Sequence, residues 1–405
     1  MKKSPDWEGL GPEAKLVLLI VRSLAGCCNP ELIGGFLEKN QLDWAKLNRL
    51  LAYHEIYPGA YIFLKKYPWL LPVKELSFLE DNFYANLSLL ARMQQEAVKI
   101  LSALEAKNIP ALPLKGAFFL LDASVYGDQA YLRPMQDIDI LVKKEDYPRA
   151  QVTLESLGYE KALHGDKEEY WLKQNYHMAF VKKDCFGRGC MAEVHWALDY
   201  PRKAALLPQL WERTKKIEGG GKTQEVLSCE DSIFSLALHQ RRFGKMLLLK
   251  SACDAALLLK NSRLDWDYFT LEAQRAGTRT TLYFVLAQAQ ILFGLAIPSA
   301  VLKKLRIPRY KQELIANFIF RNTFQEQPDL RGLYLKAHFL LYDGFAEPLK
   351  AAFSVPREQF AKFYKLPPYA FKTGILYNLR WFYFLKEPFK RLFKKRGKKQ
   401  SFSGG

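Results

Sequence analysis

Asp137 and Asp139 stand two apart in the run Asp137-Ile138-Asp139-Ile140-Leu141-Val142. The polar–apolar alternation predicts a strand, and residues two apart on a strand share a face. Two carboxylates side by side among apolar neighbours repel each other, so the pair is costly without a cation between them. Glu193 lies in a second alternating run, Met191-Ala192-Glu193-Val194-His195-Trp196, with His195 on its own face. Three acidic groups on adjacent strands form a hard-oxygen site suited to one or two Mg²⁺ ions, with Mn²⁺ as a substitute. Two such ions about 3.5–4 Å apart can hold the attacking and leaving oxygens of an in-line phosphoryl displacement.

Further residues converge on the same chemistry. Lys115-Gly116 follows the short apolar run Ile109-Pro110-Ala111-Leu112-Pro113-Leu114, a predicted strand, and precedes a helix predicted over 117–126. A glycine there lets a phosphate approach the backbone, and the start of a helix offers free N–H groups. Arg133, four before Asp137, carries a planar fork that could reach the same phosphates. His195 shares the acidic face, where it would orient a carboxylate, contact an acceptor or make a structural hydrogen bond. His177 lies on a strand expected to pair with that of Glu193, and a structural role fits it better. His239 and Asp254 fall on predicted helices, either lining a nucleotide pocket or forming a buried hydrogen-bonded pair.

These residues need a frame. Residues 1–107 read as helical: Leu16, Leu19, Ile20 and Leu24 recur at helical spacing, as do Trp44, Leu47, Leu50 and Leu51, the latter capped by Asp43. A long amphipathic helix is expected from about Glu80 to Asn108. Strands and helices then alternate over 108–228, the mark of a small α/β or α+β domain. Its strands include 177–181 and 191–196, joined by a turn holding Gly187 and Gly189. Helical periodicity returns over 229–300, and 301–405 forms a basic extension interrupted by prolines. The expected class is α+β: a small mixed β-sheet core flanked by N- and C-terminal helical domains.

Hydrophobic residues make up 49% of the 405 residues and charged ones 25%, which excludes disorder over most of the chain. The apolar run at Leu16 to Val21 is too short to span a bilayer, and acidic residues and prolines precede it, so neither a signal peptide nor a transmembrane helix is expected. The net charge of +18 is uneven: 301–405 holds 22 Lys/Arg against 7 Asp/Glu. A protein that reads nucleic acid with its main body would carry the excess there. Aromatic residues from Tyr377 to Leu385 run into eight basic residues over 386–399. That segment (377–399) suits an anionic membrane surface, an RNA backbone or a solvated tail. The expected location is cytoplasmic, peripheral at the inner membrane face if the tail binds lipid. Six cysteines do not make a disulfide framework. Cys185 and Cys190, near His177 and His195, could contribute to a zinc site only with two more ligands, and they read instead as reduced thiols.

Taken together, Leu114-Lys115-Gly116, Arg133-Pro134, Asp137-Ile138-Asp139-Ile140-Leu141-Val142, Gly158-Tyr159 and Glu193-Val194-His195-Trp196 resemble the uncharacterised bacterial nucleotidyltransferase family of the DNA polymerase β-like superfamily. Asn86, Gln94-Gln95, His239, Asp254 and Leu264-Asp265-Trp266 extend the resemblance over residues 40–300 or so. The resemblance implies metal carboxylates at Asp137, Asp139 and Glu193. It implies a nucleoside triphosphate donor whose phosphates lie on Lys115, Gly116 and Arg133. The family's phosphate-binding Gly-Ser pair falls on Gly116-Ala117, so an alanine replaces the hydroxyl. The acceptor stays open among small molecule, protein and RNA. A catalytically inactive binding protein of the same fold, and an adaptor docking on membrane or RNA through its basic C-terminus, are the alternatives.

Overall fold

The computed structural model describes residues 7–379 apart from 164–167, 184–188, 201–208, 220–221, 243–244, 246, 327, 345, 354–356 and 364–365. Helices α1 (Pro12–Leu24), α2 (Leu32–Lys39), α3 (Trp44–His54), α4 (Tyr57–Leu64) and α5 (Val73–Ala106) come first. Asp43 accepts the Lys46 N–H at 3.0 Å and so starts α3. The long helix α5 begins at Val73, several residues before Glu80. Pro72 stands at its N-cap, and Val73 itself is 85% exposed, so no apolar stripe marks those first turns. The α5 stripe serves two cores. Leu79 and Phe83 pack among the helices, whereas Leu90, Met93, Ala97, Ile100 and Leu104 pack under the sheet.

The central elements are β1 (Ala111–Pro113), α6 (Lys115–Leu121), α7 (Ala123–Tyr126), β2 (Ile138–Val142), α8 (Tyr147–Ser156), β3 (Glu160–Lys161), α9 (Glu168–Gln174), β4 (His177–Lys183) and β5 (Gly189–His195). The single helix expected over 117–126 is two pieces, because Asp122 leaves helical geometry and caps a new turn through the Ser124 N–H. The sheet runs β1-β2-β5-β4-β3, with β2 and β5 parallel and the other neighbours antiparallel. It is the small mixed sheet of the expected α+β class. Ile138, Ile140, Val142, Met178, Phe180, Ala192 and Val194 point to one face and bury against α5 and α8. Asp139, Glu193, His177 and His195 therefore take the opposite face.

A hairpin of β6 (Lys215–Gly219) and β7 (Lys222–Val226) follows, then α10 (Cys229–Gln240), α11 (Leu249–Asn261), α12 (Trp266–Arg275) and α13 (Arg279–Phe293). Ser228 caps α10, Asp265 caps α12, and Gly294 ends α13 at φ 72°. Leu238 of α10 packs with Leu112, Leu114 and Leu141, covering the β1–β2 end of the site face. Helices α14 (Ser299–Lys304), α15 (Arg309–Asn322), α16 (Leu330–Leu340), α17 (Ala346–Phe353), α18 (Arg357–Phe363) and α19 (Phe371–Asn378) complete the described chain. By contacts the chain divides into residues 1–348 and 349–405. In the first unit, residues of α1, α3, α4, α11, α13 and α15 share one apolar core. In the second, the Phe360 and Tyr377 rings meet 5.6 Å apart. No helix among the described residues is long and apolar enough to cross a membrane. The basic run over 386–399, and all of the aromatic stretch but Tyr377 and Leu379, lie outside the described residues.

Candidate active site

The site is built where β1 ends beside β2. The Leu114 N–H donates to the Asp139 carbonyl at 2.9 Å, which fixes the two chains side by side. The next residue, Lys115, turns into the left-handed region at φ 46°. For a residue with a Cβ that costs about 1–2 kcal/mol, and the Lys115 ammonium donates to Asp139 Oδ1 at 2.6 Å from this geometry. Across the parallel register Asp139 sits opposite Glu193. His195 Nε2 is 2.7 Å from Asp139 Oδ1 and 3.3 Å from Glu193 Oε2, bridging the two carboxylates. His177, opposite His195 on β4, stacks on it with ring centroids 5.1 Å apart and approaches Glu193 Oε1 at 3.5 Å.

Ligand atoms from Asp139, Glu193 and His195 all lie within 4.8 Å of one another. Asp137 is not in that cluster. It stands just before β2, half-buried, and reaches the site by its charge. Repulsion from Asp139, then burial and Glu193, push its carboxyl up to about 6, against the opposing Lys115 and Lys250. Burial would raise the Asp139 carboxyl too, but Lys115 and His195 outweigh it and hold it well below the usual range. Burial and the neighbouring His195 push the His177 imidazole down to about 3. The Asp139 and Glu193 carboxylates are hard oxygen donors that fit a divalent cation such as Mg²⁺ or Mn²⁺, and the adjacent negative charge that raises the Asp137 carboxyl is what such a cation would offset.

The Asp137 shift has a consequence for stability. A folded-state value above the ordinary 3.8 means the native state binds more protons than the unfolded one between pH 4 and 6, so stability falls as pH rises through that window. The loss persists at neutral pH. Asp137→Asn should therefore be more stable than the parent at pH 7.5 by about 1–3 kcal/mol, with the gap closing toward pH 4. Urea unfolding across pH measures it, and a gap that does not change with pH would contradict the assignment.

Arg133 differs from the sequence expectation. Its Nε and Nη2 donate to Asp254 Oδ1 and Oδ2, each at 2.8 Å, and its remaining arm approaches the Pro134 carbonyl at 3.3 Å. Tyr126 donates to the same Asp254 at 2.5 Å. The fork expected to hold phosphate is spent on a buried carboxylate, because α11 brings Asp254 into bidentate reach. Asp254 is accordingly one half of a buried pair, with Arg133 rather than His239 as its partner. Gly116 serves that pair as well: a Cβ there would lie 3.0 Å from Arg133 Nη1 and from Met135 Cβ. Gly116→Ala should cost about 1–3 kcal/mol of stability by displacing Arg133, measurable as a lower urea midpoint. Ala117 is fully buried in the apolar cluster under the sheet.

Burial pushes the His239 imidazole well down, and Lys115 and Arg242 add to the effect while Asp139 opposes it. His239 Nδ1 lies 3.2 Å from Arg242 Nη1, and the Arg242 guanidinium lies 4.2 Å above the Tyr176 ring. The sequence reading passed over Tyr126, Arg242 and Lys250. Lys250 was within reach, since it precedes Asp254 by one helical turn on the same face of α11. It pairs with Glu55 and acts electrostatically on Asp137. A zinc site joining Cys190 to His177 and His195 does not form. Cys190 points to the apolar face, 3.6 Å from the Tyr159 hydroxyl and 3.8 Å from Met93 Sδ, while the histidines take the other; Cys185 lies outside the described residues.

The family model described as an uncharacterised nucleotidyltransferase matches residues 40–294, which span α3 to α13 and include every residue of this site. No curated protein and no solved structure matches the chain.

Proposed function

The chain belongs to the uncharacterised nucleotidyltransferase family, and from that premise we propose that it transfers a nucleoside monophosphate from a nucleoside triphosphate to a hydroxyl or phosphate acceptor, releasing pyrophosphate. The observation that carries the reading is Asp139 opposite Glu193 in parallel register, with Lys115 on the same carboxylate oxygen. A cation donor and two carboxylates side by side on one face of the sheet are the parts such a displacement needs. Asp139 and Glu193, with Asp137 beside them, would hold the divalent cation. When bound, it would supply charge neutralisation at the reacting phosphate and a lowered pKa for the acceptor hydroxyl.

The protein's own groups do the positioning. Lys115 is aimed at the carboxylates by its left-handed backbone and would offer a cation to the phosphates of a donor bound beside them. His195 orients Asp139 and Glu193 toward each other. Arg133 and Asp254 fix the segment leading into Asp137, so the strand carboxylates keep their placement. Catalysis would then rest on orientation and fixed charge.

Calorimetry with ATP, CTP, GTP and UTP in the presence of Mg²⁺ tests the reading, on the parent and on the Asp137→Asn/Asp139→Asn pair. Mg²⁺-dependent binding of one triphosphate, lost in the double variant, identifies the donor. A folded parent that binds none of the four overturns the proposal. A non-catalytic nucleotide-binding role is the second reading, favoured by the buried Ala117 that leaves no hydroxyl after the Lys115 turn. It would show as triphosphate binding without pyrophosphate release.

A further inference from the structure

Outside the residues matched to the family, α15 and α16 enclose an open cavity of about 410 Å³. That is within the size range of small-molecule sites. The lower end of α15 and the start of α16 are joined by a short loop, so the two helices run as antiparallel neighbours. Tyr310, Leu314, Phe318 and Arg321 recur along one stripe of α15, facing Phe339 and Lys336 from α16. From Tyr310 to Arg321 that stripe is about 16 Å long at 1.5 Å per residue. Three large apolar residues stay open to solvent in it: Tyr310 is 58% exposed, Leu314 54% and Phe339 42%.

Charge distinguishes the two ends. At the Tyr310 end the ionic groups already have partners. Asp343 accepts from Arg279 Nε and from the backbone N–H groups of Arg279 and Thr280, and Lys311 donates to the Tyr342 carbonyl. At the other end Arg321 and Lys336 make no ion pair among the described residues. The groove is thus mainly apolar, with Asn317 and Asn322 among its lining, and cationic at one end. We propose that it binds a single-chain amphiphile with an anionic head, a long-chain carboxylate, with the alkyl chain on Leu314 and Phe318 and the head at Arg321 and Lys336.

The test is a calorimetric titration of the full chain with sodium laurate below its micellar concentration, with dodecyl maltoside as the uncharged-head control. Leu314→Glu, at an exposed position, places a charge in the apolar strip, and Arg321→Glu/Lys336→Glu reverses the cationic end. Circular dichroism melts check that both variants keep the fold. Saturable one-to-one laurate binding is expected, weakened about tenfold or more in each variant, with the maltoside binding more weakly than laurate. The proposal is overturned by the absence of saturable binding to the parent. It is equally overturned if both folded variants bind as the parent does, or if the two detergents bind alike.

Discussion

Asp139→Asn should lower nucleotidyl transfer by at least about a thousandfold while the protein stays folded. The side chain lies at the one point where Lys115, His195 and the Glu193 carboxylate meet, and it is only 2% exposed. Asparagine keeps an oxygen for the Lys115 and His195 hydrogen bonds, so the local geometry survives. It removes the negative charge that a divalent cation needs. Two electrostatic changes in the folded state oppose each other. The Lys115 ammonium loses its ionic partner, which destabilises. Asp137 loses the repulsion that pushed its carboxyl up to about 6, which stabilises. The net change in stability should stay within about 2 kcal/mol, small beside the loss of function. Pyrophosphate release, measured beside urea unfolding of the same preparation, separates the two. Near-parental turnover in a folded Asp139→Asn protein would remove this carboxylate from the chemistry.

The strands of this site could be read from alternation alone, because one face is buried on α5 and α8 and every second residue must be apolar. Asp139, Glu193 and His195 thereby fall on one face without any knowledge of the fold. Their pairing could not be read so directly. Asp139 and Glu193 are separated by α8, β3, α9 and β4, and the parallel register that sets them opposite each other is a property of the whole sheet. Arg133 shows the opposite failure. A planar fork four residues before a carboxylate pair suggested phosphate, yet its partner is 121 residues away on α11. Long-range charge pairing leaves no local pattern. The β6–β7 hairpin was missed although its signal was present, since Gly219-Gly220-Gly221 sits between Lys215-Lys216-Ile217-Glu218 and Lys222-Thr223-Gln224-Glu225-Val226.

Asp254→Ala carries the largest expected cost in stability. Asp254 is fully buried, and the Arg133 side chain that it holds is 7% exposed. Removing the carboxylate leaves a buried guanidinium without its bidentate partner, and it strips the Tyr126 hydroxyl of its acceptor as well. Breaking a buried pair from one side costs about 3–5 kcal/mol. Most of that penalty belongs to the stranded charge, not to the pair itself. Arg133→Met/Asp254→Leu, which removes both charges and fills the space, should therefore recover most of the stability. The guanidinium of Arg133 also lies 5.1 Å above the Phe119 ring, a contact that the flexible Met thioether can partly replace. Recovery of stability should not bring back full transfer. The segment from Arg133 to Asp137 would have lost the directional bonds that tie it to α11, and Asp137 would be placed less well beside Asp139. Urea midpoints of the two proteins, read against pyrophosphate release, decide the point. A double variant as unstable as Asp254→Ala would mean that the fork is needed for packing rather than neutralised by its partner.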